Sequence, residues 1–191
     1  MNRQICERFE ASAETLRLAG EHLASRVSEA SRIIIEAYRT GRGVFTFGNG
    51  GSAADAQHIA SELVGRFRRD RPAMKAHALT TDSSILTSVA NDYDFEQVFV
   101  RQLEGCASAG DVAIALSTSG NSANVVAALA VAGKIGMKTI AFTGKGGGKC
   151  AELADVLLDV PSEATPRIQE AHVVAYHIIC ELVEEARRQD G

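Results

Sequence analysis

Paired cysteines, a long apolar run, an apolar leader and an excess of positive charge are all missing from this 191-residue chain. Cys6, Cys106, Cys150 and Cys180 are scattered, with none of the spacings of zinc ribbons, redox motifs or small disulfide frameworks. They read as reduced thiols of a cytoplasmic protein. No apolar stretch approaches the roughly 18 residues a membrane span requires, and Met1 to Glu7 lacks a signal-peptide apolar region. No membrane partner is therefore expected. The formal net charge of −4 argues against a nucleic-acid footprint, although Arg66, Arg68, Arg69 and Arg71 form a local basic run that reads as a solvated surface. Internal repeats and low-complexity tracts are absent too. With 46% hydrophobic residues the chain can bury one sizeable core, so one domain over residues 1–191 is expected.

What the chain does have is a β-branched and aromatic run, Val44 to Phe47, that breaks into Gly48-Asn49-Gly50-Gly51-Ser52 and continues into a helical segment carrying His58 and Glu62. In a parallel sheet such a turn aims backbone N–H groups and the positive end of a helix dipole at one point, where an anion, usually phosphate, is favoured. The i, i+4 spacing puts the His58 imidazole and the Glu62 carboxylate on one helix face, within reach of one substrate or metal ion. A surface ion pair is the plain alternative, and the neighbouring anion loop weighs against it.

Ser117-Thr118-Ser119-Gly120-Asn121-Ser122 ends a second strand in the same manner. Hydroxyls and amides satisfy phosphate oxygens without adding a competing carboxylate, and a simple helix cap would account for one or two hydroxyls rather than this many. Gly48 to Ala53 also fits the dinucleotide fingerprint. The acid that should follow about 20 residues on is out of place, because Asp82 stands 34 residues past Gly48. No nucleotide cofactor is expected. Lys145-Gly146-Gly147-Gly148-Lys149-Cys150 misses the P-loop register and reads as a flexible turn. In the last helical segment His172 and His177 lie about 140° apart around the axis, so they are not expected to meet one ligand on the same chain.

Periodicity predicts a helical leader over Gln4 to Tyr38, one long helix or two meeting at Gly20, and an apolar stripe that a partner subunit would cover. Strands follow at Val44–Phe47, Ala76–Leu79, Val112–Leu116, Lys138–Phe142 and Val156–Val160. Between them come a helix to about Phe67, helical patterns over Ser84 to Ala107 around a turn at Asn91-Asp92-Tyr93-Asp94, a helix from Ala123 to Lys134, and a short helical piece over Lys149 to Ala154. Thr165 is expected to cap a final helix, with Pro166 at its first position, running through Arg188. The alternation specifies an α/β three-layer sandwich: a mostly parallel five-stranded sheet with helices on both faces and a helical leader. Both loops would then line one pocket outside the carboxyl ends of the strands.

Taken together, Phe47 to Ser52, Asp55-Ala56-Gln57-His58 with Glu62, Leu116 to Asn124, and Arg167-Ile168-Gln169-Glu170-Ala171-His172 resemble the phosphoheptose isomerases. These sugar-isomerase-domain (SIS) enzymes interconvert sedoheptulose 7-phosphate and D-glycero-D-manno-heptose 7-phosphate, the first step toward ADP- or GDP-heptose. The resemblance covers nearly the whole chain. It implies a SIS-type, flavodoxin-like fold, a homotetramer with active sites where subunits meet, and a zinc ion held by His58, Glu62, Gln169 and His177. Such a site would let Gln169 or His177 come from a different subunit than His58 and Glu62.

By the same resemblance Ser52, Ser117, Thr118, Ser119 and Ser122 hold the sugar phosphate, Gly50 and Gly51 belong to the substrate-binding set, and Asn49, Arg66, Asn91, Asp92 and Gln169 line the rest of the site. Thr165-Pro166 stands where some members carry an aspartate before the arginine, so a substrate hydroxyl contact is replaced or lost there. Ketose-to-aldose conversion through a cis-enediol needs a base and an acid/base partner, and these roles fall to Glu62 and His177. Two other readings compete. One is a non-catalytic SIS protein that senses a sugar phosphate or binds a replication initiator, and the other is an isomerase of a different ketose phosphate. Retention of His58, Glu62, Gln169 and His177 together favours the enzyme over the sensor.

Overall fold

Helix α1 (Asn2–Arg39) leads into a five-stranded sheet in this computed structural model, which describes residues 1–189. Strand β1 (Val44–Gly48) is followed by α2 (Gly51–Val64), β2 (Ala76–Ala78), α3 (Ser83–Asp92), a 3-10 turn at Phe95–Gln97 and α4 (Val100–Cys106). Then come β3 (Val112–Ser117), α5 (Ala123–Ile135), β4 (Lys138–Thr143), a second 3-10 turn at Gly148–Glu152, β5 (Val156–Asp159) and α6 (Thr165–Gln189). The strands order as β2-β1-β3-β4-β5 and every pairing is parallel. That is the flavodoxin-like order, in which the chain reverses its direction of winding between β1 and β3.

Strand composition explains the layering. β1 and β3 are buried at every position, and successive side chains alternate between two apolar cores. Val44, Val112, Ile114 and Leu116 join Ile140, Phe142 and Leu158 under α1, α2 and α6. Phe45, Phe47, Ala113 and Ala115 face the opposite core with Leu103, Val125 and Leu129 from α4 and α5. Thr46 is buried on the α2 side and spends its hydroxyl on the Ala56 carbonyl at 2.7 Å, which fastens the middle of α2 to β1. No helix among the described residues is long and apolar enough to cross a membrane.

Several boundaries differ from the sequence reading. Gly20 does not interrupt α1, because a lone glycine in a helix costs about 1 kcal/mol and 37 other helical residues outweigh it. α2 stops at Val64 rather than near Phe67, with Gly65 closing the turn onto the Ser61 carbonyl. Asn91 and Asp92 belong to the end of α3, so the turn is confined to Tyr93-Asp94. Thr165 opens α6 as its first residue, while the Ala164 carbonyl takes the first helical bond from Ile168 N–H. The Lys145–Cys150 segment is tied down: Cys150 N–H donates to the Gly120 carbonyl at 3.0 Å and Lys149 N–H to Asn121 Oδ1 at 3.1 Å. Nor is the basic run uniformly solvated. The Arg71 side chain is 9% exposed and faces Glu184, and Arg68 pairs with Glu181.

Candidate active site

The reversal between β1 and β3 places the two loops singled out in the sequence side by side, since Gly48 and Leu116 are register partners at the carboxyl ends of their strands. An amide pair joins them: Asn49 Nδ2 donates to Asn124 Oδ1 at 2.8 Å and Asn124 Nδ2 returns a bond to Asn49 Oδ1 at 2.9 Å. Ser52 is buried in the first turn of α2, with Gly50 before it at φ +57°. In the second loop Ser117 Oγ lies 3.0 Å from Ser122 Oγ and 3.5 Å from Ser119 Oγ. Ser122 precedes α5 but makes no side-chain cap bond, so its hydroxyl faces the serine cluster instead of closing the helix.

Two turns into α2 stands a second cluster. Glu62 Oε1 lies 3.0 Å from His58 Nε2, and His177 Nε2 from α6 lies 3.4 Å from the same nitrogen. Ligating atoms of the three side chains all fall within 4.8 Å of one another. His177 therefore meets the pair on its own chain, because α6 packs along α2. It is His172 that points elsewhere, as the 140° separation requires.

His58 is oriented from behind. Its Nδ1 lies 2.9 Å from the Tyr176 hydroxyl, which is 3.4 Å from Asp55 Oδ1. Burial and the adjacent Asp55 carboxylate raise the Tyr176 phenol, which stays protonated. With that proton directed to Asp55, the hydroxyl accepts from His58 Nδ1–H and leaves the Nε2 lone pair facing Glu62 and His177. Burial also raises the Asp55 carboxyl, against the opposing pull of Tyr176 and His58. Burial and the nearby His58 lower the pKa of His177, only partly offset by Glu62, so its imidazole is neutral at pH 7.

The remaining predicted residues divide. Gln169 lies against Gly51 at the start of α2, where an added Cβ would collide with its amide, and eight residues of α6 put it about 12 Å along the axis from His177. Arg66 is exposed just past the end of α2. Asn91 and Asp92 are exposed at the end of α3, where Asn91 Nδ2 donates to Asp92 Oδ1 at 2.8 Å. α3 packs Leu86 and Val89 on the core across the sheet from α2 and α6. The sequence reading missed Tyr176, Asp55 as its partner, and Asn124. Asp55 sits three residues before His58 on one helix face, a spacing that was there to be read.

His172 is buried under Phe142, with Nε2 3.0 Å from the Thr143 carbonyl and no partner for Nδ1. Burial pushes the imidazole down to about 4, with the Thr143 carbonyl opposing. The unfolded chain takes up this proton near pH 6.5, so it binds more protons than the folded chain between the two values. Stability is full above pH 6.5 and falls by roughly 3 kcal/mol in all as pH drops towards 4. His172→Gln retains a donor for Thr143 and is expected to flatten this acid loss, measured as urea unfolding at pH 7 and pH 5 beside the wild type. An unchanged slope would contradict the assignment.

Residues 8–144 match the family model described as the SIS domain. A phosphoheptose isomerase from Aquifex aeolicus is 52% identical over 93% of this chain and 93% of its own length. One from Sulfurimonas denitrificans is 48% identical over 100% of this chain and 99% of its own. Among solved structures, the phosphoheptose isomerase of Neisseria gonorrhoeae superposes with a TM-score of 0.92 at 39% identity, covering 96% of this chain and 98% of that one.

Proposed function

The chain belongs to the SIS domain family, and within it to the phosphoheptose isomerases, and from that premise we propose how its own residues turn sedoheptulose 7-phosphate into D-glycero-D-manno-heptose 7-phosphate. The observation that carries the reading is the convergence of His58, Glu62 and His177 on the helix that starts at the anion loop. Seven residues separate Gly51 from His58, about 10 Å of helix, a span suited to a six- or seven-carbon sugar phosphate rather than a triose. The intact triad and the isomerase relatives together set aside the sensor reading.

The phosphate is bound by Ser52, Ser117, Thr118, Ser119 and Ser122 with the N–H groups that open α2 and α5. Glu62 takes a proton from C1 of the open-chain ketose, exchanges it with solvent and delivers a proton to C2 of the cis-enediol. His177, neutral at the outset, carries a proton from O1 to O2, which completes the aldose. Two imidazole nitrogens and a carboxylate oxygen, with Tyr176 and Asp55 orienting one of them, suit a catalytic zinc with an open position. Bound there by His58, Glu62 and His177, zinc would polarise the substrate carbonyl.

Assembly supplies what the single chain leaves open. The first half of α1 is exposed, its buried positions beginning at Ala19, and a groove of about 240 Å³ between α1 and α6 is lined by Leu16, Leu23, Val174, Ile178 and Leu182. We assign this face to a homotetramer built with residues 1–40 of one SIS unit per chain. Gln169 as a fourth metal ligand, and Arg66, Asn91 and Asp92 as sugar contacts, would then serve a neighbouring copy's site. Ile178→Glu is expected to shift the protein to smaller species in light scattering at micromolar concentration, and an unchanged mass would remove this face from the assembly. The exposed free thiols of Cys6 and Cys106 suit a reducing compartment, the cytoplasm.

Proton NMR of sedoheptulose 7-phosphate in D2O with metal-replete protein tests the reaction. Aldose signals with deuterium at the carbon next to the carbonyl are expected. Neither product nor exchange would overturn the heptose assignment.

A further inference from the structure

Glu62 lies in the last turn of α2, and the final carbonyls of a helix have no intrahelical partner. Here one side chain takes two of them. Arg71 donates from Nη2 to the Glu62 carbonyl at 2.7 Å and from Nη1 to the Leu63 carbonyl at 2.9 Å. Its Nε makes no hydrogen bond but stands 3.4 Å from Glu184 Oε1, an ion pair whose side chains are 9% and 6% exposed.

Glu184 follows His177 by seven residues on α6 and reaches back to the segment after α2. Its oxygens accept from the N–H groups of Phe67 at 2.9 Å, Arg68 at 2.9 Å and Arg69 at 3.1 Å. Burial pushes this carboxyl up, but the three N–H groups and Arg71 outweigh it and hold it below its ordinary value. Phe67, drawn in by the first of those bonds, lays its ring 5.5 Å from that of His177. A single buried pair thus ties the end of α2, the segment after it and α6 together beside the triad.

We infer that Arg71 and Glu184 are positioning residues for the isomerisation, fixing where the Glu62 carboxylate stands relative to His177. The inference rests on the reading of Glu62 as base. Helix ends open most readily, and a base in a last turn would wander without a cap on its own carbonyl. Neither residue stands at the proposed phosphate loops, which lie at the opposite end of α2.

Arg71→Lys is the discriminating variant. It keeps a cation opposite Glu184 but replaces a planar fork with one point donor, which does not cap both carbonyls. Expected are a kcat lower by roughly 10- to 100-fold and a Co2+ dissociation constant, titrated into metal-stripped protein, higher by about tenfold. KM for sedoheptulose 7-phosphate should stay within about threefold. Amides 60–66 should exchange faster while the first turns of α2 do not change.

In Arg71→Ala, guanidinium added well below denaturing concentration is expected to restore part of kcat, entering through the cleft of about 380 Å³ that Arg71 and Glu184 line. A purely structural loss would not respond. Arg71→Lys with kcat and Co2+ affinity near those of the wild type overturns the inference, as does activity lost only in proportion to the unfolded fraction in circular dichroism. Wild-type protein that fails to isomerise would instead bring down the assigned reaction, while the Co2+ and exchange measurements would still decide the positioning role.

Discussion

Glu62→Gln should lower kcat for sedoheptulose 7-phosphate by roughly 10³-fold or more while leaving the fold intact. The carboxylate is the one anionic group of the triad, and its 19% exposed side chain makes room for an isosteric amide. Glutamine can donate an amide N–H to the His58 Nε2 lone pair, so the pairing across one helical turn survives. What it lacks is basicity toward a C–H proton. KM should move little, because the proposed phosphate site, the serine loop and the first turn of α2, does not include Glu62. Deuterium exchange into the substrate should fall with turnover, since both need the same proton abstraction. Substantial residual isomerisation at unchanged KM would remove Glu62 from the base role and turn attention to Asp55, two turns earlier and hydrogen-bonded to Tyr176.

The glycine-rich and serine-rich loops are legible because glycine and hydroxyl density are local signals, and a strand feeding a helix through them has few alternatives. The sheet is legible from composition for a related reason: a fully buried strand such as Val112 to Ser117 leaves no room for polar alternation. Strand order is not written in any such pattern. It comes from how the helices cover the two faces, and with it comes the adjacency of Asn49 and Asn124.

His177 shows where one-dimensional reasoning stops. Helical angle correctly separates it from His172, yet its meeting with His58 depends on α6 lying along α2, which no periodicity within α6 encodes. Arg71 fails for the opposite reason. A run of four arginines looks solvated, and only the return of α6 brings the buried Glu184 that takes one of them out of solvent.

Gly120→Ala should raise KM for the sugar phosphate at least tenfold and lower Tm by roughly 5–10 °C, from a cost of about 2–3 kcal/mol in a chain of this size. Gly120 has φ +64°, where a side chain is disfavoured, and an added Cβ would overlap the Gly147 carbonyl. Both neighbours in that clash are backbone, so no rotamer change relieves it. The loops would have to separate, and they are the ones joined by Cys150 N–H to the Gly120 carbonyl and by Lys149 N–H to Asn121 Oδ1. Asn121 in turn holds the Ser119 carbonyl through Nδ2 at 2.8 Å, so displacement passes directly to the serine hydroxyls. Gly146→Ala separates contact from backbone strain. Gly146 has φ +79° with nothing near its added Cβ, so it should lose about 1 kcal/mol and leave KM alone. Equal effects of the two substitutions on KM would mean that the loop contact has no part in binding phosphate.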